Sequence, residues 1–252
     1  MMGISSYNFK SHVASDIGEH GQYIAPENLK SQTYLDNISN WTDEKLMKLN
    51  TTKSKYMVIN FTKDWQFSTK LSIEGHDLQQ VSQTKLLGVW ITDDLKWAKN
   101  TAEVVRNSYA RMTMLRKLNS FAIPVEDLLN IYVLFIRSRL EQSAVVWHAS
   151  ITQGEEIELE RVQKVALRLI LREDYESYAN ALSVTNLETL KERRDYLCLK
   201  FAKKCARSEH SRDLFPLNYN PHHEKYKVTF ARTNRLKLSA IPYMQRLLNS
   251  ET

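Results

Sequence analysis

The sequence predicts an α+β chain, in which a small antiparallel β-sheet with one helix is followed by a mostly α-helical bundle. Three observations predict this. Short β-branched and aromatic runs are confined to residues 51–92. From Leu95 onward, apolar residues recur at three- and four-residue steps. Only 6 Gly and 5 Pro occur in 252 residues, so extended Gly-rich loops are scarce. A hydrophobic share of 42% and a charged share of 25% exclude disordered and fibrous chains. Two cysteines exclude a disulfide-framed miniprotein.

Each element follows in order. Residues 1–30 show no period, and Gly18, Gly21 and Pro26 punctuate them as an irregular segment. Leu35, Ile38 and Trp41 mark one face of a helix over 32–49. Tyr56–Ile59 and Leu71–Ile73 are strand candidates, Glu74-Gly75-His76-Asp77 is a hairpin turn, and Leu86–Ile91 is a third strand. Thr92-Asp93-Asp94 opens the helical part as a capping signal. Ala98, Ala102, Val105, Tyr109, Met112 and Leu115 form its first apolar stripe. Pro124 opens a second helix that runs to about His148 and is apolar nearly all round between Leu128 and Ile136, which predicts burial. A third helix spans 155–171 with Leu159, Val162, Ala166 and Leu169 inward, and a fourth spans Leu187–Arg207. Pro216 and Pro221 end the packed region, leaving a basic tail over 216–252 with a short amphipathic piece at Tyr243–Leu248. The domain reading is therefore 1–30, 31–94, 95–215 and 216–252.

The longest apolar stretch, Leu128–Ile136, falls far short of the roughly 18 residues a bilayer span needs. The first residues lack a basic stretch followed by an apolar one, so the expected location is intracellular, cytoplasmic or nuclear. No phosphate-binding glycine loop, dinucleotide fingerprint, nucleophile elbow or His-Glu-x-x-His pair is present, and no small-molecule cofactor or metal is expected. Cys198 and Cys205 share a helical face with Ala202, which reads as core rather than as metal ligands. Asp93-Asp94 resembles the acid pair of a polymerase turn only superficially. Position 91 is Ile rather than Tyr, and the pair precedes a helix, so capping is the better account.

The formal net charge of +6 is unevenly placed. Residues 95–118 carry 6 positive and 1 negative side chains, and residues 161–252 carry 18 and 10. On the third helix Arg161, Lys164, Arg168 and Arg172 fall within about 80° of one another at roughly 100° per residue. Lys200, Lys203, Lys204 and Arg207 form another group. Such stripes can neutralise successive phosphates. The competing reading is a solvated face, because Glu158–Arg161 and Glu160–Lys164 stand at intrahelical pairing distances. Tyr109, Tyr132 and Trp147 are candidate base-stacking platforms or, more simply, core aromatics.

Several short runs come in an order that resembles a known family. These are Asn40-Trp41, Met47–Lys55, Val81–Val89, Asp94-Leu95-Lys96-Trp97, Pro124–Arg139, Leu140–Trp147 and Leu159–Ala166. Together they resemble the C-terminal portion of reverse transcriptases of non-LTR, LINE-type retrotransposons of the jockey-like kind, over about residues 30–205. The resemblance implies that 31–94 is a palm remnant and 95–215 a thumb-like helical domain. It places Lys53 beside the nucleotide site, and Lys85, Leu86, Leu87 and Gly88 in a primer-grip hairpin. It implies template and primer contact by Lys96, Lys99, Arg106, Arg161, Lys164, Arg168 and Arg172. The family's catalytic aspartates have no counterpart among these residues, so the chain alone is expected not to polymerise, and the magnesium they would hold has no ligands here. The expected partner is the backbone of an RNA–DNA hybrid or duplex, with no membrane and with self-association through an exposed sheet edge. A non-catalytic helical module for protein contacts, or a decayed reading frame, are the alternatives.

Overall fold

The computed structural model describes residues 27–61, 70–219 and 225–251, so the irregular segment expected over 1–30 lies, up to residue 26, outside the described residues. The chain folds as α+β, with a few short strands and a helical bundle. It divides into two units, one holding the described residues up to Val58 and from 70 to 81, the other Ile59–Phe61 and everything from Ser82 onward.

In the first unit, α1 spans Glu27–Glu44 rather than 32–49. The helix stops because Met47 N–H turns back to Thr42 O at 2.8 Å and Leu46 takes φ 54, the left-handed position where a glycine is usual. β1 (Lys55–Tyr56) does not join an antiparallel sheet. It pairs in parallel with β4 (Gln79–Gln80), while β2 (Ser72–Ile73) and β3 (His76–Asp77) form a separate antiparallel ribbon. The expected hairpin turn is there, with Glu74 and Gly75 at φ 51 and 76, the pairing that a two-residue turn of matching twist requires. The Gln32 side chain acts as a stub of strand for β2: its amide donates to Ser72 O at 2.8 Å and accepts from Ser72 N–H at 3.0 Å. Leu71, Ile73 and Leu78 form this unit's core against Leu35, Leu49 and Tyr56.

The second unit begins with a hairpin, β5 (Gln83–Leu86) and β6 (Val89–Thr92). The run Leu86–Ile91, expected as one strand, is thus the hairpin's turn and its flanks, because Leu87 and Gly88 both have positive φ, 47 and 88. The hairpin goes with the helices rather than with the preceding strands, since Val89 and Ile91 pack into the helical core beside Trp97 and Val104.

α2 (Ala98–Ser120) buries Asn100, Thr101, Val104, Ser108, Met112 and Leu115, whereas Ala98 and Ala102 of the expected stripe are exposed. Hydropathy misplaces the face because three polar residues on it find internal partners, although Asn100 Nδ2 has no hydrogen-bond partner among the described residues. Asn100 Oδ1 accepts from Trp90 N–H at 3.2 Å, and the Thr101 and Ser108 hydroxyls donate to Trp97 O at 3.0 Å and Val104 O at 2.8 Å. Asp93-Asp94 does not cap this helix, whose N-cap is Trp97 with no side-chain bond. Asp94 closes the preceding turn instead, accepting from the Thr92 hydroxyl at 2.7 Å and from Lys96 N–H at 3.1 Å.

The single helix expected over 124–148 is a chain of pieces. α3 (Val125–Ile131) passes into a π-helical turn over Tyr132–Arg137, then α4 (Ser138–Glu141), a break at Ser143 with φ 53, and α5 (Ala144–Trp147). Leu128, Tyr132, Ile136 and Leu140 are fully buried, but Leu134 and Phe135 are 67% and 52% exposed, so the apolar run is not buried all round.

α6 (Gln153–Leu171) and α8 (Leu190–Arg207) each open on a capping box, Thr152 with Glu155 and Thr189 with Glu192. α7 (Tyr178–Thr185) lies between them in sequence. Ile170 rather than Leu169 completes the buried face of α6, and α2 packs along it. The expected C-terminal tail is packed structure. After α9 (Asn234–Lys237), α10 (Ala240–Ser250) buries Met244 and Leu248 against Cys198, Ala202 and Phe215. Among the described residues no helix is long and apolar enough to cross a membrane.

Candidate nucleic-acid interface

Antiparallel pairing in the hairpin sets Lys85 directly across from Trp90 and Leu86 across from Val89. The turn leaves Leu87 84% exposed at the tip, while Gly88 faces the bundle so closely that a Cβ there would meet Gln142 Nε2 at 2.7 Å. The next turn and α2 bring further cations to the same surface. Lys99 Nζ stands 3.7 Å over the Trp90 ring and donates to Gln83 Oε1 at 2.6 Å, and Lys85 Nζ lies 5.9 Å from the same ring. Arg106 donates to Glu103 Oε2 through Nε at 3.1 Å and Nη2 at 2.8 Å, and Lys85 approaches the other oxygen of Glu103 at 3.9 Å. The Arg106 bonds, with help from Asn107, hold the Glu103 carboxyl below its usual range. Lys85, Lys99 and Arg106 therefore converge from two elements on one indole and one carboxylate, which leaves an excess of positive charge. Lys96 sits apart on Asp94 at 3.1 Å, and the Thr92 and Lys96 bonds lower the Asp94 carboxyl to about 2.

The α6 stripe is arranged differently. Arg161 pairs with Glu158 at 2.8 Å, as the spacing suggests. Glu160 does not hold Lys164. It turns to Tyr178 OH and Leu190 N–H, and Lys164 lies 4.9 Å over the Tyr178 ring. Arg168 covers Tyr175 at 5.1 Å. Arg172 has left the helix at φ 53, and its guanidinium donates to Asn119 Oδ1 at 2.6 Å and Asn119 O at 2.8 Å, closing the C-terminal end of α2. These cations are exposed but already in use, Arg161 within α6 and the other three along its seams with its neighbours. Lys53, in the first unit, lies in the turn after Asn50, with its backbone N–H on Asn50 Oδ1 at 3.0 Å and its side chain exposed.

Of the candidate stacking rings, Tyr132 and Trp147 are fully buried core groups. Tyr132 OH donates to Gln163 Oε1 at 2.7 Å, and Trp147 Nε1–H donates to Gln142 O at 3.0 Å. Tyr109 is partly buried against the same core. Cys198 is buried beside Ala202, and burial pushes its thiol up to about 12. No group of three His, Cys, Asp or Glu side chains able to hold a metal occurs among the described residues.

Sequence reasoning missed one polar cluster. Arg194 Nε–H donates to His148 Nδ1 at 3.1 Å, and His148 Nε2–H donates to Asp195 Oδ1 at 2.7 Å. Asp195 also receives Lys191 Nζ at 3.0 Å and the Tyr243 hydroxyl, so the turn after α5, α8 and α10 meet on one carboxylate. The available signal was an arginine in the apolar step Leu190, Arg194, Cys198, Ala202, where a charge needs internal partners.

The chain matches no protein-family model, no curated protein and no solved structure.

Proposed function

We propose that the chain is a reverse-transcriptase-like fragment without a catalytic centre of its own, which holds the backbone of an RNA–DNA hybrid or duplex on the face made by the β5–β6 hairpin and α2. The convergence of Lys85, Lys99 and Arg106 around Trp90 and Glu103 supports this reading most directly. Three cations against one carboxylate give net attraction for phosphates. An indole already covered by an ammonium offers a rim for a sugar or base edge without sequence preference. The order of motifs from Asn40 to Ala166 supports the same reading independently of the geometry. Lys96, Arg161, Lys164 and Arg168 add to the long-range field, while Arg172 serves the fold.

Binding of a labelled RNA–DNA hybrid, followed by anisotropy across a salt series, tests the proposal. Affinity should fall with salt, and Lys85→Ala or Lys99→Ala should each reduce the logarithmic salt slope by about one. Absence of binding at low salt, or a slope unmoved by both substitutions, removes it.

A further inference from the structure

Three of the four cations on the outer face of α8 lack such engagement. Lys200, Lys203, Lys204 and Arg207, with Tyr196, Leu199 and Glu251, line an open groove of about 390 Å³. The side chains of Lys200, Lys204 and Arg207 have no ion-pair or hydrogen-bond partner among the described residues, unlike the cations of the hairpin and of α6. Lys204 and Arg207 stand in the last turn, where positive charge complements the helix dipole. That accounts for two of the four and for none of the concavity.

We infer that this groove binds an acidic segment of a protein partner. The groove already seats a carboxylate, because Glu251, just beyond α10, pairs with Lys203 within it. A carboxylate arriving from outside exchanges with Glu251 like for like, and Lys200, Lys204 and Arg207 stand ready for its neighbours. The four cations span about 10 Å along one helix at ~1.5 Å per residue, a reach suited to a short run of acidic side chains. Leu199 and the half-exposed Tyr196 ring give the aliphatic stems of glutamates an apolar wall to lie against. Both the surface and the ligand class differ from those of the proposed backbone-binding face.

The full chain, titrated by anisotropy against a labelled short Glu-rich peptide and against its Gln counterpart, tests the inference. The acidic peptide should bind and the Gln peptide should not. The double charge reversal Lys200→Glu with Lys204→Glu, both exposed positions, should weaken binding by at least about tenfold. Glu251→Gln, which frees Lys203, should tighten it a few-fold, and Lys85→Ala with Lys99→Ala should leave it unchanged. Equal binding of the two peptides, no binding, or indifference to the charge reversal overturns the inference. So does a hybrid duplex that displaces the peptide and itself depends on Lys200 and Lys204, which would assign the groove to nucleic acid.

Discussion

Arg194 illustrates how a single charge organises the interior of the helical unit. It is 0% exposed, stacks 5.8 Å from the Trp147 ring, and bonds through Nε alone, its two Nη atoms having no hydrogen-bond partner among the described residues. Its neighbour Asp195 gathers the bonds that tie the helices. Burial works to raise the Asp195 pKa, but the His148, Tyr243 and Lys191 donors outweigh it and hold the carboxyl well below the usual range. A carboxyl depressed by folding contributes stability that is complete above its unfolded pKa and is lost as pH falls toward the folded value. Urea unfolding should therefore show an acid limb that begins near pH ~4. Asp195→Asn should flatten that limb and cost about 1–3 kcal/mol at neutral pH. An unchanged acid limb in the variant would show that other carboxylates carry it.

The β5–β6 hairpin shows at the scale of an element what a sequence yields and what it withholds. The resemblance placed a hairpin at Lys85–Gly88, and the pattern Leu86–Ile91 alone predicted a strand across the same residues. Periodicity could not find the turn, because Leu87 adopts positive φ against its own preference and only Gly88 signals it. Gly88 is constrained twice, by φ 88 and by Gln142 at 2.7 Å from where a Cβ would stand. Gly88→Ala should destabilise the protein by about 1–3 kcal/mol in urea titration, with the loss concentrated in hydrogen-exchange protection of β5 and β6. A neutral effect would mean that the Gln142 side chain moves aside and the turn relaxes. Elsewhere α6 and α8 were legible as helices because their apolar spacing is regular, although Ile170 rather than Leu169 faces inward and the buried Arg194 was missed. The α2 face was not, since Asn100, Thr101 and Ser108 look like surface residues until their acceptors are known. The break at Ser143 and the π-helical turn after Ile131 carry no Gly or Pro to announce them.

At the scale of the molecule, the positive charge that the sequence concentrates in two stretches divides by use. On the hairpin, α2 and α6 nearly every candidate cation is matched to an acid, an amide or a ring, so its capacity for phosphate depends on exchanging those partners. On the outer face of α8 three of the four cations are free. The candidate site was thus legible as composition but not as availability, which only the third dimension decides. The packing of α10 has a separate consequence. Met244 and Leu248 are buried against Cys198 and Phe215, and Asn249 clasps the Tyr226 backbone, while the connection through Phe230 and Leu238 lies largely exposed. A protease nick in that connection should leave the severed end docked. The cleaved protein should elute as one species under native conditions and separate into two in denaturant, and a mixture of the two pieces should reassemble. On this packing a cut in the connection should not part the pieces, and α10 should behave as a ligand that happens to be tethered.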